Sequence, residues 1–98
     1  MNSRFVIRYH YAVDEQDVPR LSSEVCQRIR KAIETKLTSH PDIYGKPLRR
    51  SLAGYRKLRA GDYRIIFTIA EREVRVWAIG HRRDVYDIVM ERIGRFFT

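Results

Sequence analysis

Hydrophobic and polar positions change period several times along this chain. Arg4-Phe5-Val6-Ile7-Arg8-Tyr9-His10 alternates loosely, with Phe5, Ile7 and Tyr9 on one side, and predicts a first strand. From Val13 to Leu21 the polar run Asp14-Glu15-Gln16-Asp17 leads to Pro19, which predicts a short helix or turn interrupted by the proline. Ser22 or Ser23 can then cap a longer helix, with Glu24 in the first turn where the helix dipole favours an anion. Val25, Ile29, Ala32, Ile33 and Leu37 fall on one helical stripe while Arg28, Lys31 and Glu34 face elsewhere, and His40-Pro41 ends the helix. Two prolines and a glycine make the stretch 41–47 a loop.

Three strand patterns follow in quick succession: Gly54 to Arg59, Tyr63 to Ala70 and Val74 to Gly80. Their joints, Ala60-Gly61-Asp62 and Glu71-Arg72-Glu73, are short enough that consecutive strands must be antiparallel neighbours. Asp84 is placed to cap a C-terminal helix with Val85, Ile88, Val89, Ile93 and Phe96 on one stripe. The expected fold class is α+β: an antiparallel sheet, made of the N-terminal strand and the three-strand meander, with N-terminal helices and a C-terminal helix packed on one side.

Ninety-eight residues with 44% hydrophobic positions suit a single domain with one core. No apolar run approaches the ~20 residues of a membrane span, and Met1-Asn2-Ser3-Arg4 leads into the first strand without a signal-peptide core, which points to the cytoplasm. Cys26 is the only cysteine, so no internal disulfide or cysteine metal cluster is available, and filler on a helix face is its ordinary role. Twenty Lys and Arg against 12 Asp and Glu give a formal net charge of +8. Composition alone leaves a nucleic-acid partner and plain solubility equally open; position separates them.

From Lys46 to Arg64 there are seven cations (Lys46, Arg49, Arg50, Arg56, Lys57, Arg59, Arg64) and one acid, Asp62. Pleating puts Lys57 and Arg59 on one side of their strand with Tyr55, and Arg56 and Leu58 on the other. At the far end of the meander, Gly80-His81-Arg82-Arg83-Asp84-Val85-Tyr86 adds a histidine, two arginines and a phenol at a strand-to-helix joint. Nucleophilic catalysis is disfavoured, because Cys26 lies mid-helix and no serine sits in an elbow motif. His10, His40 and His81 lie far apart with no ligand spacing, and Gly45, Gly54 and Gly61 match no phosphate-loop fingerprint, so neither metal nor small-molecule cofactor is implied.

Metal-free phosphodiester cleavage remains. RNA carries its own nucleophile, and an enzyme needs only to move two protons and stabilise a crowded phosphorane. Lys57, Arg59, Arg64, His81, Arg82 and Tyr86 suit that work. Plainer roles compete at each position: Lys57 and Arg59 as solvated strand residues, His81 as a surface histidine, Tyr86 as core of the last helix. Arg64, set in an apolar strand, reads as either outward-facing or a partly buried functional group.

Leu58-Arg59-Ala60-Gly61-Asp62-Tyr63-Arg64-Ile65-Ile66-Phe67 followed by Gly80-His81-Arg82-Arg83-Asp84-Val85-Tyr86 resembles the signature of the RelE/ParE toxin superfamily. The likeness runs from about Lys46 to Tyr86, while the N-terminal half fits in element order only. It implies a single RelE-like toxin domain over 1–98 with a microbial-ribonuclease fold, which cleaves messenger RNA in the ribosomal A site by attack of the 2′-hydroxyl and leaves a 2′,3′-cyclic phosphate. By that resemblance Lys57, Arg64 and Arg82 stabilise the phosphate, and Tyr86 stacks or handles a proton. Lys46, Arg49, Arg56, Arg59 and Arg83 are the expected RNA-backbone contacts. Tyr55 stands where RelE has a further lysine, a gap for which His81 is the expected compensation. The implied partners are messenger RNA, the ribosome and a cognate acidic antitoxin that wraps the toxin and often displaces the C-terminal helix, whose end here is Ile93-Gly94-Arg95-Phe96-Phe97; no membrane is implied. A ParE-like DNA gyrase poison of the same fold is the alternative, and a non-catalytic module that binds RNA or antitoxin is a third.

Overall fold

In the structure, a computed structural model that describes residues 4–94, the run Ile65-Ile66-Phe67 sets the architecture. All three side chains have no exposed surface, yet successive strand residues point to opposite faces. Both faces of the strand must therefore be covered. Strand β4 (Tyr63–Ala70) lies at the centre of a five-stranded sheet of order β1-β5-β4-β3-β2, with β1 at Val6–Tyr9, β2 at Lys46–Pro47, β3 at Arg56–Ala60 and β5 at Glu73–His81.

One layer is built by helix α1 (Ser23–Ala32), its π-helical continuation Ile33–Leu37, and the turns Val13–Asp17 and Val18–Arg20. Ile29, Ile33, Leu37 and Val13 pack there on Leu58, Ile65, Phe67, Val74, Val76 and Ile79. Helix α3 (Val85–Arg92) covers the other face, where Val85 and Val89 meet Leu52, Ile66 and Ala78. The helices thus lie on both sides of the sheet, not on one, and the apolar triplet in β4 is the reason. The meander β3-β4-β5 is antiparallel, as its short joints require. Strand β1, in contrast, lies parallel to β5, with Val6 opposite Glu73 and Tyr9 opposite Val76, so the sheet is mixed.

Local chemistry explains most boundaries. The Ser22 hydroxyl accepts from the Val25 N–H at 3.2 Å and caps α1. Asp84 occupies the corresponding place before α3 but makes no side-chain cap bond; only its carbonyl engages, taking the Ile88 N–H. The proline-rich stretch is more ordered than a loop: Pro41–Tyr44 forms the short helix α2, and Lys46–Pro47 pairs with β3. Gly45 joins the two where a Cβ would collide with the Phe67 ring. Phe96 lies outside the described residues.

Strand β1 ends at Tyr9, beyond which the outer edge of β5 has no strand neighbour. The backbone groups left there are met by two buried side chains. Asp17 Oδ2 accepts the Ile79 N–H at 2.9 Å, and Arg92 Nη1 donates to the Trp77 carbonyl at 2.9 Å. The two side chains are 4% and 7% exposed and bind each other through two bonds, Nη1 to Oδ2 at 2.8 Å and Nη2 to Oδ1 at 3.1 Å. A forked, hydrogen-bonded pair of this kind is the strong form of the interaction. It ties the last turn of α3 to the opposite helical layer around the open side of the sheet.

His10 sits beside this pair, its Nδ1 accepting the Ala12 N–H at 3.1 Å. Burial holds its imidazole below the ordinary value of 6.5, and the Arg92 and Arg75 guanidiniums push the same way against the pull of Asp17. The unfolded chain therefore takes up the proton more readily than the folded one. Stability present above that ordinary value is lost as the pH falls through and below it.

Two measurements follow from these contacts. Arg92→Ala leaves the Asp17 carboxylate buried without its partner and should destabilise the domain by about 3–5 kcal/mol, read as a lower urea midpoint. Lowering the pH from about 7.5 to about 5.5 should reduce that midpoint more in the parent than in His10→Gln, whose amide keeps an acceptor for Ala12 without titrating.

Candidate functional site

Cross-strand register decides which cations share a surface, because residues directly opposite in adjacent strands point to the same face. Lys46 lies opposite Lys57, and Arg59 lies opposite Arg64. Arg64 in turn lies opposite Gly80, on the α3 side with Ile66 and Ala78. Two like-charged pairs therefore sit side by side on one face. Each costs stability, roughly 0.2–1 kcal/mol, and none of the four cations has an acidic partner among the described residues.

Arg64 is the most unusual of the four. It is only 7% exposed, yet its Nη1 bonds two carbonyls, Gly61 O and Tyr63 O, both at 2.9 Å. Its charge is solvated by the dipoles of the β3–β4 turn and is balanced by no carboxylate among the described residues. Gly61 makes that turn possible by adopting φ +64°. A buried cation held this way keeps its attraction for an incoming anion undiminished.

Arg82 adjoins the same turn. Its backbone N–H donates to Asp62 O at 2.8 Å, extending the β4–β5 ladder one step past the strand. Its side chain is half exposed and approaches Asp62 at 3.9 Å, an ion pair too loose and solvated to hold it. Tyr86 lies on the first turn of α3 and packs against the Ile66–Val85–Val89 cluster. Gly80 brings this turn close, since a Cβ on it would meet Val85 Cβ at 3.4 Å. Lys57, Arg59, Arg64, Arg82 and Tyr86 are thus gathered at one end of the α3 face, with Lys46 beside them on β2.

His81 is not among them. It lies opposite Tyr63, on the face that packs against α1, with ring centroids 5.5 Å apart in an edge-on contact. Its Nδ1 accepts the Arg83 N–H at 3.2 Å. One residue past Gly80, His81 falls by pleating on the sheet face opposite the cations, and not beside Tyr55, where the missing lysine would stand. Arg56 is likewise on the far face, where Nη1 binds Gly45 O at 2.9 Å and Asp42 O at 3.2 Å and pins α2 to the sheet. Arg49 and Arg83 are exposed in turns, outside the sheet register. No group of three His, Cys, Asp or Glu residues suited to a metal ion occurs among the described residues.

Sequence reasoning missed Asp17 and Arg92, and with them the attachment of α3 that carries Tyr86. A signal existed, because Arg92 falls in phase with Val85 and Val89, a charge on an apolar stripe. Asp17 gave none, being the last of a polar run that reads as solvated surface.

Known proteins share both sequence and fold with this chain. A family model described as the ParE toxin of the type II toxin-antitoxin system parDE matches residues 7–86. Toxin RelE of Mycobacterium tuberculosis is 32% identical over 71 residues, covering 69% of this chain and 73% of that protein. Toxin RelG of the same organism is also 32% identical, over 73 residues, covering 72% and 84%. The RelBE2 toxin-antitoxin complex from M. tuberculosis contains a chain that superposes with a TM-score of 0.75 at 28% identity, covering 83% of this chain and 94% of that one. The archaeal RelE-RelB complex from Pyrococcus horikoshii OT3 matches at a TM-score of 0.56 and 16% identity, over 84% and 97%, a likeness of fold alone. With its helix-covered mixed sheet and this match along most of its length, the chain belongs to the RelE/ParE superfamily of type II toxin-antitoxin toxins.

Proposed function

We propose that this toxin is an endoribonuclease that cleaves messenger RNA, with its catalytic groups at the turn end of the α3 face. The observation that carries the reading is Arg64, a buried guanidinium bonded among the described residues to two carbonyls, with Arg59 opposite it and the Lys46–Lys57 pair next along the same face. In the reaction the 2′-hydroxyl gives its proton to water as its oxygen forms a bond to phosphorus, the bond to the 5′-oxygen breaks and that oxygen takes up a proton, and a 2′,3′-cyclic phosphate and a 5′-hydroxyl result. Arg64, with Lys57 and Arg82, stabilises charge on the non-bridging oxygens. Tyr86 is the group on this face able to carry a proton to the departing oxygen. Arg59 and Lys46 extend the grip along the backbone; Arg56 is turned to the other face, where it binds the Gly45 and Asp42 carbonyls, and exposed Arg49 and Arg83 are further candidate backbone contacts. The ribosomal A site would present the message, and an acidic antitoxin segment laid over the same cations would silence it.

One finding favours a second reading. The family model is that of ParE toxins, which by resemblance poison DNA gyrase. Brief expression followed by primer extension on cellular messages, with plasmid supercoiling measured in the same cells, separates the two. Codon-phased cuts with normal supercoiling are expected; relaxed plasmids with intact messages would reverse the assignment.

Purified toxin acting on ribosome-bound messages should fail on a message with 2′-deoxy substitution at the cut. Arg64→Ala should lower the cleavage rate by about 10²–10³-fold, and Tyr86→Phe should lower it clearly. His81→Ala should stay within a few-fold of the parent. Binding of small anions supplies a test independent of turnover: inorganic phosphate should raise the melting temperature of the parent by mass action and leave that of Arg64→Met unchanged.

A further inference from the structure

The α3 face does not end where α3 does. Beyond the helix, the sheet carries a row of rings running across the strands. Tyr55 meets Trp77 edge-on at 5.9 Å, Trp77 lies 5.5 Å from His10, and His10 stacks on exposed Tyr11 at 4.6 Å. Trp77 reaches this row through a bulge: β5 slips register between Ile66 and Phe67, so that Val76 stays under α1 while both Trp77 and Ala78 turn to the α3 side. The indole is fixed across β4 by its N–H, which donates to Thr68 Oγ1 at 2.9 Å.

Cations adjoin the rings. The Arg75 guanidinium lies over the Trp77 ring, 5.8 Å from its centroid, and is 49% exposed. Glu73 bridges Arg75 and Arg8 at 3.3 and 3.4 Å, leaving the local balance positive. A hollow of about 230 Å³ opens here between Thr68, Ala70, Glu73, Arg75 and Trp77. It is smaller than the ~300–1,000 Å³ of drug-sized sites and suits one planar ring system. At its other end the row meets β3, where Tyr55, Lys57 and Arg59 follow one another on the same face about 6.6 Å apart. Those residues lead straight to the Arg64 turn.

We propose that this strip, Arg59–Lys57–Tyr55–Trp77–Arg75, is a single-stranded RNA track leading away from the cleavage site, with Trp77 as the platform for one base a few nucleotides from the scissile bond. The inference rests on the reading that RNA is the ligand of this face. Interleaved cations and ring faces are what unpaired RNA requires, because each base offers a π-face and each linkage a charge. An acidic peptide would use the cations but would leave the ring row without a role.

Trp77 is the only tryptophan in the chain, so its fluorescence reports the platform directly. A fully 2′-O-methylated RNA of about ten nucleotides, which cannot be cleaved, should quench it, and a trimer long enough only for the Arg64 end should not. With end-labelled RNA, Trp77→Leu and Arg75→Gln should each weaken the longer oligomer about tenfold and leave trimer binding unchanged, whereas Trp77→Phe retains most of the affinity. Equal losses for both lengths, or no quenching by the longer RNA, would overturn the track. Quenching by a poly-glutamate peptide as strong as that by RNA would overturn it too, in favour of a protein-docking surface. Messages cut normally by a toxin whose tryptophan is not quenched would remove the track and leave the cleavage reading standing. Quenching without cutting would do the reverse.

Discussion

The bond between Asp17 and Arg92 is what makes one body of two helical layers. A sheet covered on both faces still needs its edges closed, and here β1 is too short to close the edge of β5. Exposed N–H and C=O groups on such an edge would invite pairing with another chain. A carboxylate and a guanidinium take the place of the missing strand residues, each bonding one backbone group and the other's charge. Because the carboxylate comes from one layer and the guanidinium from the other, the same atoms that finish the sheet also fix where α3 lies. Tyr86 and the floor of the candidate site inherit their positions from that fixation.

Pleating then divides the charge. A strand with alternating exposure would place cations on a solvent face and nothing more, but β3 and β4 have two covered faces. Their cations are forced either into structural bonds, as Arg56 is at α2, or into the unbalanced group around Arg64. The grouping opposes folding: like charges face one another across two strand pairs, and one guanidinium is buried without an anion among the described residues. An arrangement that a stability-driven sequence would remove is the mark of a surface shaped by something it binds.

How much of this the sequence disclosed depends on the range of the interaction. The meander was legible because its joints are two or three residues long and leave no other pairing. The cap at Ser22 and the stripe of α1 were legible for the same reason, being set within one turn. The direction of β1 was not, since its partner β5 lies more than sixty residues along the chain and alternation is identical for parallel and antiparallel neighbours. The second helical layer was legible in principle from Ile65-Ile66-Phe67, a run no one-sided sheet can bury. Within the site, the face shared by Lys57 and Arg59 followed from pleating alone, as did the placing of Arg56 on the other face, although its bonds to the Asp42 and Gly45 carbonyls did not. The face on which His81 lies required the register of β5 against β4, and the placing of Trp77 on the α3 side required a bulge that no local pattern announces.

One scaffold can carry either a ribonuclease or a gyrase poison, and the depth of Arg64 is what supports the proposed ribonuclease. A protein surface that binds a toxin meets cations that stand out from it, and for such contact Arg59, Lys46 and Arg82 would suffice. Arg64 lies below that surface, 7% exposed, with its charge directed among turn carbonyls. A ligand that uses it must offer a small anionic group, and a phosphodiester has such a group at every link. The desolvation that makes Arg64 costly to the folded chain is the condition under which its field acts most strongly on developing negative charge. That joint cost and benefit is what the proposed catalysis on RNA calls for and what docking alone would not require.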